Sequence, residues 1–151
     1  MSYTLQAIVG SRRSLGDNAG SEHFVTIALT DILAMVPLTA EVRKRHNIPF
    51  LPLTDDSVEV LPQSLDLLCR KLSRHGLIAY LEAEFFGGSG EQAHVLFKDG
   101  GALGSPVIAE DAINQALRHF GILPDGHHDE FAAVGLGRFR DTDDWTSGPN
   151  P

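Results

Sequence analysis

The chain has a single cysteine, Cys69, so no internal disulfide can form and a reducing, cytoplasmic setting is the expectation. No apolar run approaches the roughly 18 residues that a membrane span requires, so no membrane association is expected. The opening MSYTLQAIVGSRR places its only early basic pair after the apolar stretch, the wrong order for a secretory signal. Basic residues are scarce: 12 Lys and Arg stand against 20 Asp and Glu, a formal net charge of -8. A phosphate backbone selects the opposite sign, which argues against nucleic acid as a partner. A basic protein, by contrast, would be steered toward such a surface. There is no GxSxG elbow, no CxxC pair and no HExxH, so neither a serine nucleophile nor a metal or other cofactor is expected. The adjacent His127, His128, Asp129 and Glu130 do not alter this, because neighbouring histidines seldom converge on one ion.

What is present reads as an α+β protein with an antiparallel sheet and helices packed on one face, a single domain over residues 1–145 followed by a flexible tail, 146–151. Tyr3 to Ser11 suits a first strand, and Phe24–Leu29 and Ile32–Leu38 read as two more around a turn at Thr30-Asp31. Thr39 is placed to cap a short basic helix, AEVRKRHN. Leu61, Leu65, Leu68 and Leu72 repeat at helical spacing from Pro62 to Arg74, with Gly76 as the stop and Cys69 beside the stripe. LIAYLEAEFF and QAHVLFKDG form a hairpin around GGSGE, with GALGSPV continuing the meander. AEDAINQALRHF is a helix ended by Gly121, and DEFAAVGLGRF adds a short helical turn.

The chemically densest stretch is YLEAEFFGGSGEQ, Tyr80 to Gln92. On a strand, Tyr80, Glu82, Glu84 and Phe86 share one face, with the two carboxylates about 6–7 Å apart along the backbone. That spacing suits a general acid and base, which would want a third polar group such as His94. It equally suits a solvated sheet face. The glycines lead toward a strand and not toward a helix with a lysine, so a phosphate loop is excluded. Arg138 and Arg140, if extended, match the pitch of Glu82 and Glu84 and could cover that face as an ionic cluster. The candidate binding or polar-cluster residues are therefore Tyr80, Glu82, Glu84, Gln92, Arg138 and Arg140.

YLEAEFFGGSGEQ, INQALR and DEFAAVGLGRFRDTDDW together resemble a set of small acidic bacterial proteins of uncharacterised activity. These carry Y-x-E…G-G-x-G-x-Q, I-x-x-A-L-R and D-E-F…G-L-G-R-x-R-x-T-x-D-W elements. The resemblance covers Ala79 to Trp145 and implies no catalytic residues. In size and charge the chain is also similar in style to the immunity partners of bacterial toxins. The expected function is non-enzymatic binding of a protein, basic in charge. The alternatives are a carboxylate-dependent hydrolase using Glu82 and Glu84, and a homo-oligomeric structural or regulatory protein.

Overall fold

The computed structural model describes residues 2–13, 15, 24–55, 59–86 and 89–147. Part of the loop after the first strand, the glycine pair Gly87-Gly88 and the last four residues lie outside that set. Strand β1 (Ser2–Ser11) is followed by β2 (Ile27–Ala28), β3 (Leu33–Pro37), helix α1 (Ala40–His46) and helix α2 (Gln63–Leu72), which runs on as a 3-10 turn, Ser73–His75. The second half contributes β4 (Ile78–Phe86), β5 (Ser89–Lys98), β6 (Gly101–Ala102), β7 (Val107–Ala109), α3 (Ala112–Arg118), α4 (Glu130–Ala133) and α5 (Asp144–Ser147). The strands form one seven-stranded sheet in the order β2-β3-β1-β4-β5-β6, with β7 also pairing β5, and every ladder is antiparallel. The fold is α+β, with the hairpins where the turn residues place them. The expected strand Phe24–Leu29 shortens to two residues, and β5 begins at Ser89, inside the stretch read as loop. Thr146 and Ser147, the first residues of the expected tail, complete the turn of α5, and the rest of that tail lies outside the described residues.

The helices lie on both faces of the sheet, which corrects the one-face arrangement. The reason is visible in β1 and β4: Leu5 to Gly10 and Ile78 to Ala83 are buried at every position, so these central strands need cover on both sides. One face carries Ile8, Val36, Ile78, Tyr80, Val95 and Phe97, packed against Leu65, Leu68, Cys69 and Leu72 of α2 and against Leu53. The other carries Leu5, Val9, Met35, Leu81, Ala83 and Leu96, packed against Ile113, Ala116 and Leu117 of α3 and against Leu136 and Trp145. We refer to these as the α2 face and the α3 face.

Local chemistry fixes the helix ends. The Thr39 hydroxyl accepts from the Val42 amide at the start of α1, and Asn47 closes that helix in the left-handed region, φ 56. Asp143, from the far end of the chain, accepts from the Ala40 amide at 2.9 Å. Its segment also completes the sheet. Strand β3 ends at Pro37, opposite Ala7, which leaves the start of β1 open on that side. The Thr4 amide there donates to the Arg140 carbonyl at 2.8 Å, while the Thr142 hydroxyl accepts from Gln6 N and donates to Thr4 O. A strand edge that would otherwise be bare is thereby satisfied.

Cys69 lies fully buried on α2, and burial pushes its thiol well above the ordinary cysteine value. It is therefore expected to react slowly with a thiol reagent in the native protein and quickly in denaturant. Equal rates in the two conditions would mean that α2 opens readily.

Candidate functional site

Tyr80, Glu82 and Glu84 share the α2 face of β4, and the polar atoms of the first two meet a loop instead of solvent. The loop between α1 and α2 inserts Ile48 and Leu53 into the α2-face core and buries Leu51 beside them in sequence, and an irregular segment buried that way must find partners for its backbone groups. Glu82 supplies them: its carboxylate accepts from Leu53 N at 3.1–3.2 Å, from Thr54 N at 2.9 Å and from the Thr54 hydroxyl at 3.0 Å. The Tyr80 hydroxyl donates to the same carboxylate at 2.5 Å. Gln6, directly opposite Glu82 on β1, extends the network. Its amide nitrogen donates to Tyr80 Oη at 2.9 Å and to the Pro49 carbonyl at 3.0 Å, and its carbonyl oxygen faces Leu51 N at 3.4 Å. Leu51 holds a left-handed backbone, φ 43, unusual for a bulky residue and maintained by these contacts.

Gln6, Tyr80 and Glu82 are all inaccessible to solvent. The reading of Glu82 as part of a wet sheet face is therefore corrected: the loop covers it. Burial raises the Glu82 carboxyl above its ordinary value, although the bonds from Tyr80, Thr54 and Leu53 pull the other way. Tyr80 is likewise raised, by burial and then by the neighbouring Glu82 charge. Gln6 and the amides of residues 53 and 54 escape the sequence reading. The available signal was a glutamine inside the otherwise apolar run LQAIVG, a strand buried on both sides.

Glu84, two residues on, is half-buried and differs in kind. It faces Glu91 directly across the β4–β5 ladder, and Gln92 opposite Ala109 on β7 brings Glu110 next to Glu91. Asp55, next after Thr54 in the loop, is close enough to Glu84 to act on its carboxyl. Two adjacent strands, the residue that follows β7 and a loop thus contribute acids to one row on the α2 face. Gly90 permits the row to form: a Cβ there would collide with the Glu84 carbonyl and lie 2.7 Å from Phe85 Cα, so only glycine lets β5 approach β4 at this point.

Burial, and after it the Asp55 carboxyl, push Glu84 up to about 7 from 4.5. A carboxyl whose value is raised on folding favours the folded state while protonated. Its contribution is whole below 4.5 and is lost as pH rises through about 7. Glu84→Gln is expected to flatten that part of the stability profile, read from melting temperatures at about pH 5 and about pH 8. An unchanged slope would show that the row does not hold a proton.

The remaining candidates do not join this site. Gln92 and His94 point to the α3 face, where Gln92 accepts from Ile113 N at 2.9 Å and His94 Nδ1 donates to the Ala112 carbonyl at 2.7 Å. Both hold the start of α3, and burial lowers His94 below the ordinary histidine value. His94 is therefore separated from Glu82 by the sheet. Arg138 belongs to the C-terminal segment on the α3 side and Arg140 lies along the open edge of β1, and among the described residues no ion pair joins either to Glu82 or Glu84, which corrects the expected pairing. Arg138 lies in a 3-10 turn, Leu136–Arg138, donates to Gly135 O and stacks over Trp145 with its guanidinium 5.3 Å from the ring centre. Arg140 contributes its carbonyl to β1. A carboxylate–arginine pair of the second half lies elsewhere: Glu130 meets Arg118 at 3.0 Å, which lowers the Glu130 carboxyl, while Asp129 caps α4 through Ala132 N. Among the described residues no group of His, Cys, Asp and Glu is arranged to hold a metal ion, and no helix is long and apolar enough to cross a membrane. Set against family models, curated proteins and solved structures, the chain matches none of them.

Proposed function

We propose that this protein works by binding a basic protein partner, with the row Asp55, Glu84, Glu91 and Glu110 as the contact that attracts it. The observation carrying this reading is the direct cross-strand placement of Glu84 against Glu91. Like charges opposite one another on a sheet weaken it. A fold that retains such a pair, with Asp55 crowding one member and a net charge of -8 behind it, is suited to a partner that brings the missing positive charge. The finer form of the proposal is an immunity protein that neutralises a basic toxin, in keeping with the chain's size and charge. A hydrolase built on Glu82 and Glu84 is disfavoured because the Glu82 oxygens are filled by the loop.

The test begins with the partner recovered from the cells that make this protein. Its association rate should fall about tenfold or more as salt is raised from low to physiological strength and beyond, since exposed charges are screened within about 10 Å at 0.1 M. The double variant Glu84→Gln/Glu91→Gln should bind more slowly while melting no lower than the parent. An on-rate indifferent to both salt and the double variant would overturn the reading.

A further inference from the structure

We infer that helix α3 is a cover with a histidine latch: neutral His94 holds its first residue to β5, and acid opens it. The latch lies on the face opposite the acidic row and does not depend on the function proposed above.

The grip on α3 is short and specific. Gln92 accepts from Ile113 N at 2.9 Å, and His94 Nδ1 donates to the Ala112 carbonyl at 2.7 Å. A carbonyl can only accept, so the neutral ring carries its proton on Nδ1. A second proton must go to Nε2, and it places a full charge on a residue only 4% exposed. With seven residues, Ala112–Arg118, α3 is too short to be stable by itself. It stays where Ile113, Ala116 and Leu117 bury against Leu81 and Leu96 and where β5 grips its start.

The charges around the ring decide whether that second proton is tolerated. On this face β5 itself offers Gln92 and Leu96, and β4 brings Ala79, Leu81 and Ala83. Strand β7 consists of Val107, Ile108 and Ala109, so neither flanking strand turns a charge toward the ring. Asp111, just before α3, favours a charged ring, and His119, just after it, opposes one. Arg118 is engaged by Glu130 of α4, and Asp129 is engaged as the cap of that helix. Burial is the largest influence, and with His119 it outweighs the Ala112 carbonyl and Asp111, so His94 falls below its ordinary 6.5.

A base lowered in this way favours the docked state while it is neutral. That preference is whole above 6.5 and shrinks as pH falls below it. An open α3 exposes the ring, which then takes up its proton at the ordinary value. Between about pH 7.5 and about pH 5.5 the open population should therefore rise about tenfold. Opening uncovers Leu81 and Leu96, so an apolar face hidden at neutral pH becomes available in acid. The other face responds in the opposite sense, because Glu84 favours the folded state when protonated.

Native-state hydrogen exchange of the whole protein tests the latch, with each amide rate corrected for its own pH dependence. Protection at Ile113 and Gln115 should fall about tenfold over that range, while the β1–β4 ladder keeps its protection. Glu130, lowered from 4.5, keeps its charge throughout. His94→Asn retains a donor for the Ala112 carbonyl and cannot take up a proton, so its α3 protection should not change with pH. Flat protection at Ile113 and Gln115 in the parent, the same fall in His94→Asn, or an equal fall in the ladder each overturns the latch. Should His94→Asn fail to fold, the imidazole resonances of the parent decide. A His94 ring that gains its proton while Ile113 and Gln115 remain protected overturns the latch, and one that stays neutral until they open supports it.

Discussion

Glu82→Ala is expected to lower the melting temperature by roughly 10 °C, the larger part of a loss of about 3–5 kcal/mol. The carboxylate accepts two backbone amides, one threonine hydroxyl and the Tyr80 hydroxyl, all in a solvent-free position. Its removal strands several donors at about 1–3 kcal/mol each, offset in part by water entering the vacated space. The amides of Leu53 and Thr54 should exchange with solvent much faster, because the loop that buries Leu51 and Leu53 loses its anchor. Glu84→Ala, on the same face but half-buried, is expected to cost little. The isosteric Glu82→Gln separates size from charge. Burial raises the native carboxyl, so its contribution is greatest at low pH and fades as pH rises through the raised value. The glutamine variant should lose that dependence. A Glu82→Ala protein that melts with the parent would show the carboxylate to be free, and would return it to the list of catalytic candidates.

Trp145→Ala should cost about 3–5 kcal/mol, in the range for truncating a buried aromatic. Trp145 is 6% exposed in the α3-face core, packed edge-on to Phe139 at 4.7 Å between ring centres and beneath the Arg138 guanidinium. The effect should spread beyond the cavity. Thr142 and Asp143, three and two residues before it, hold β1 and the start of α1, so a loosened Trp145 frees contacts at the other end of the chain. Faster exchange at the amides of Gln6 and Ala40 would be its signature. Because Trp145 is the sole tryptophan, unfolding of the variant must be followed by circular dichroism. A cost confined to Phe139 and Arg138, with the Gln6 and Ala40 amides still protected, would show that the segment is held by its hydrogen bonds alone.

Much of the secondary structure is legible in the residues because its causes are local. Thr39 before AEVRKRHN and the leucine spacing of α2 identify helices from their own neighbours, and Gly121, at φ 76, ends the next helix where its flexibility is needed. The faces of the sheet are harder to read. Alternation in YLEAEFF suggests one wet side, but the apolar runs AIVG and LIAYL require cover on both sides. Glu82 is thus polar by type and interior by position. Its partners, the amides of Leu53 and Thr54, lie 28 or 29 residues away and carry no side-chain signal. The arginine pairing failed for a similar cause. Equal pitch in two segments says nothing about which side of a sheet each occupies, and Arg138 ends a 3-10 turn, Leu136–Arg138, while the chain extends only from Phe139 onward.

The stapling of Thr142 onto β1 also has a consequence for how the protein is made. Gln6 and Thr142 are 136 residues apart in the chain. At a synthesis rate of about 5–20 residues per second, the first strand leaves its maker roughly 7–27 s before its last neighbour exists. During that interval the amides of Thr4 and Gln6 form an unpaired edge beside the apolar run AIVG, the kind of surface that joins other chains. A newborn chain is therefore expected to expose this edge until residues 140–142 emerge and close it.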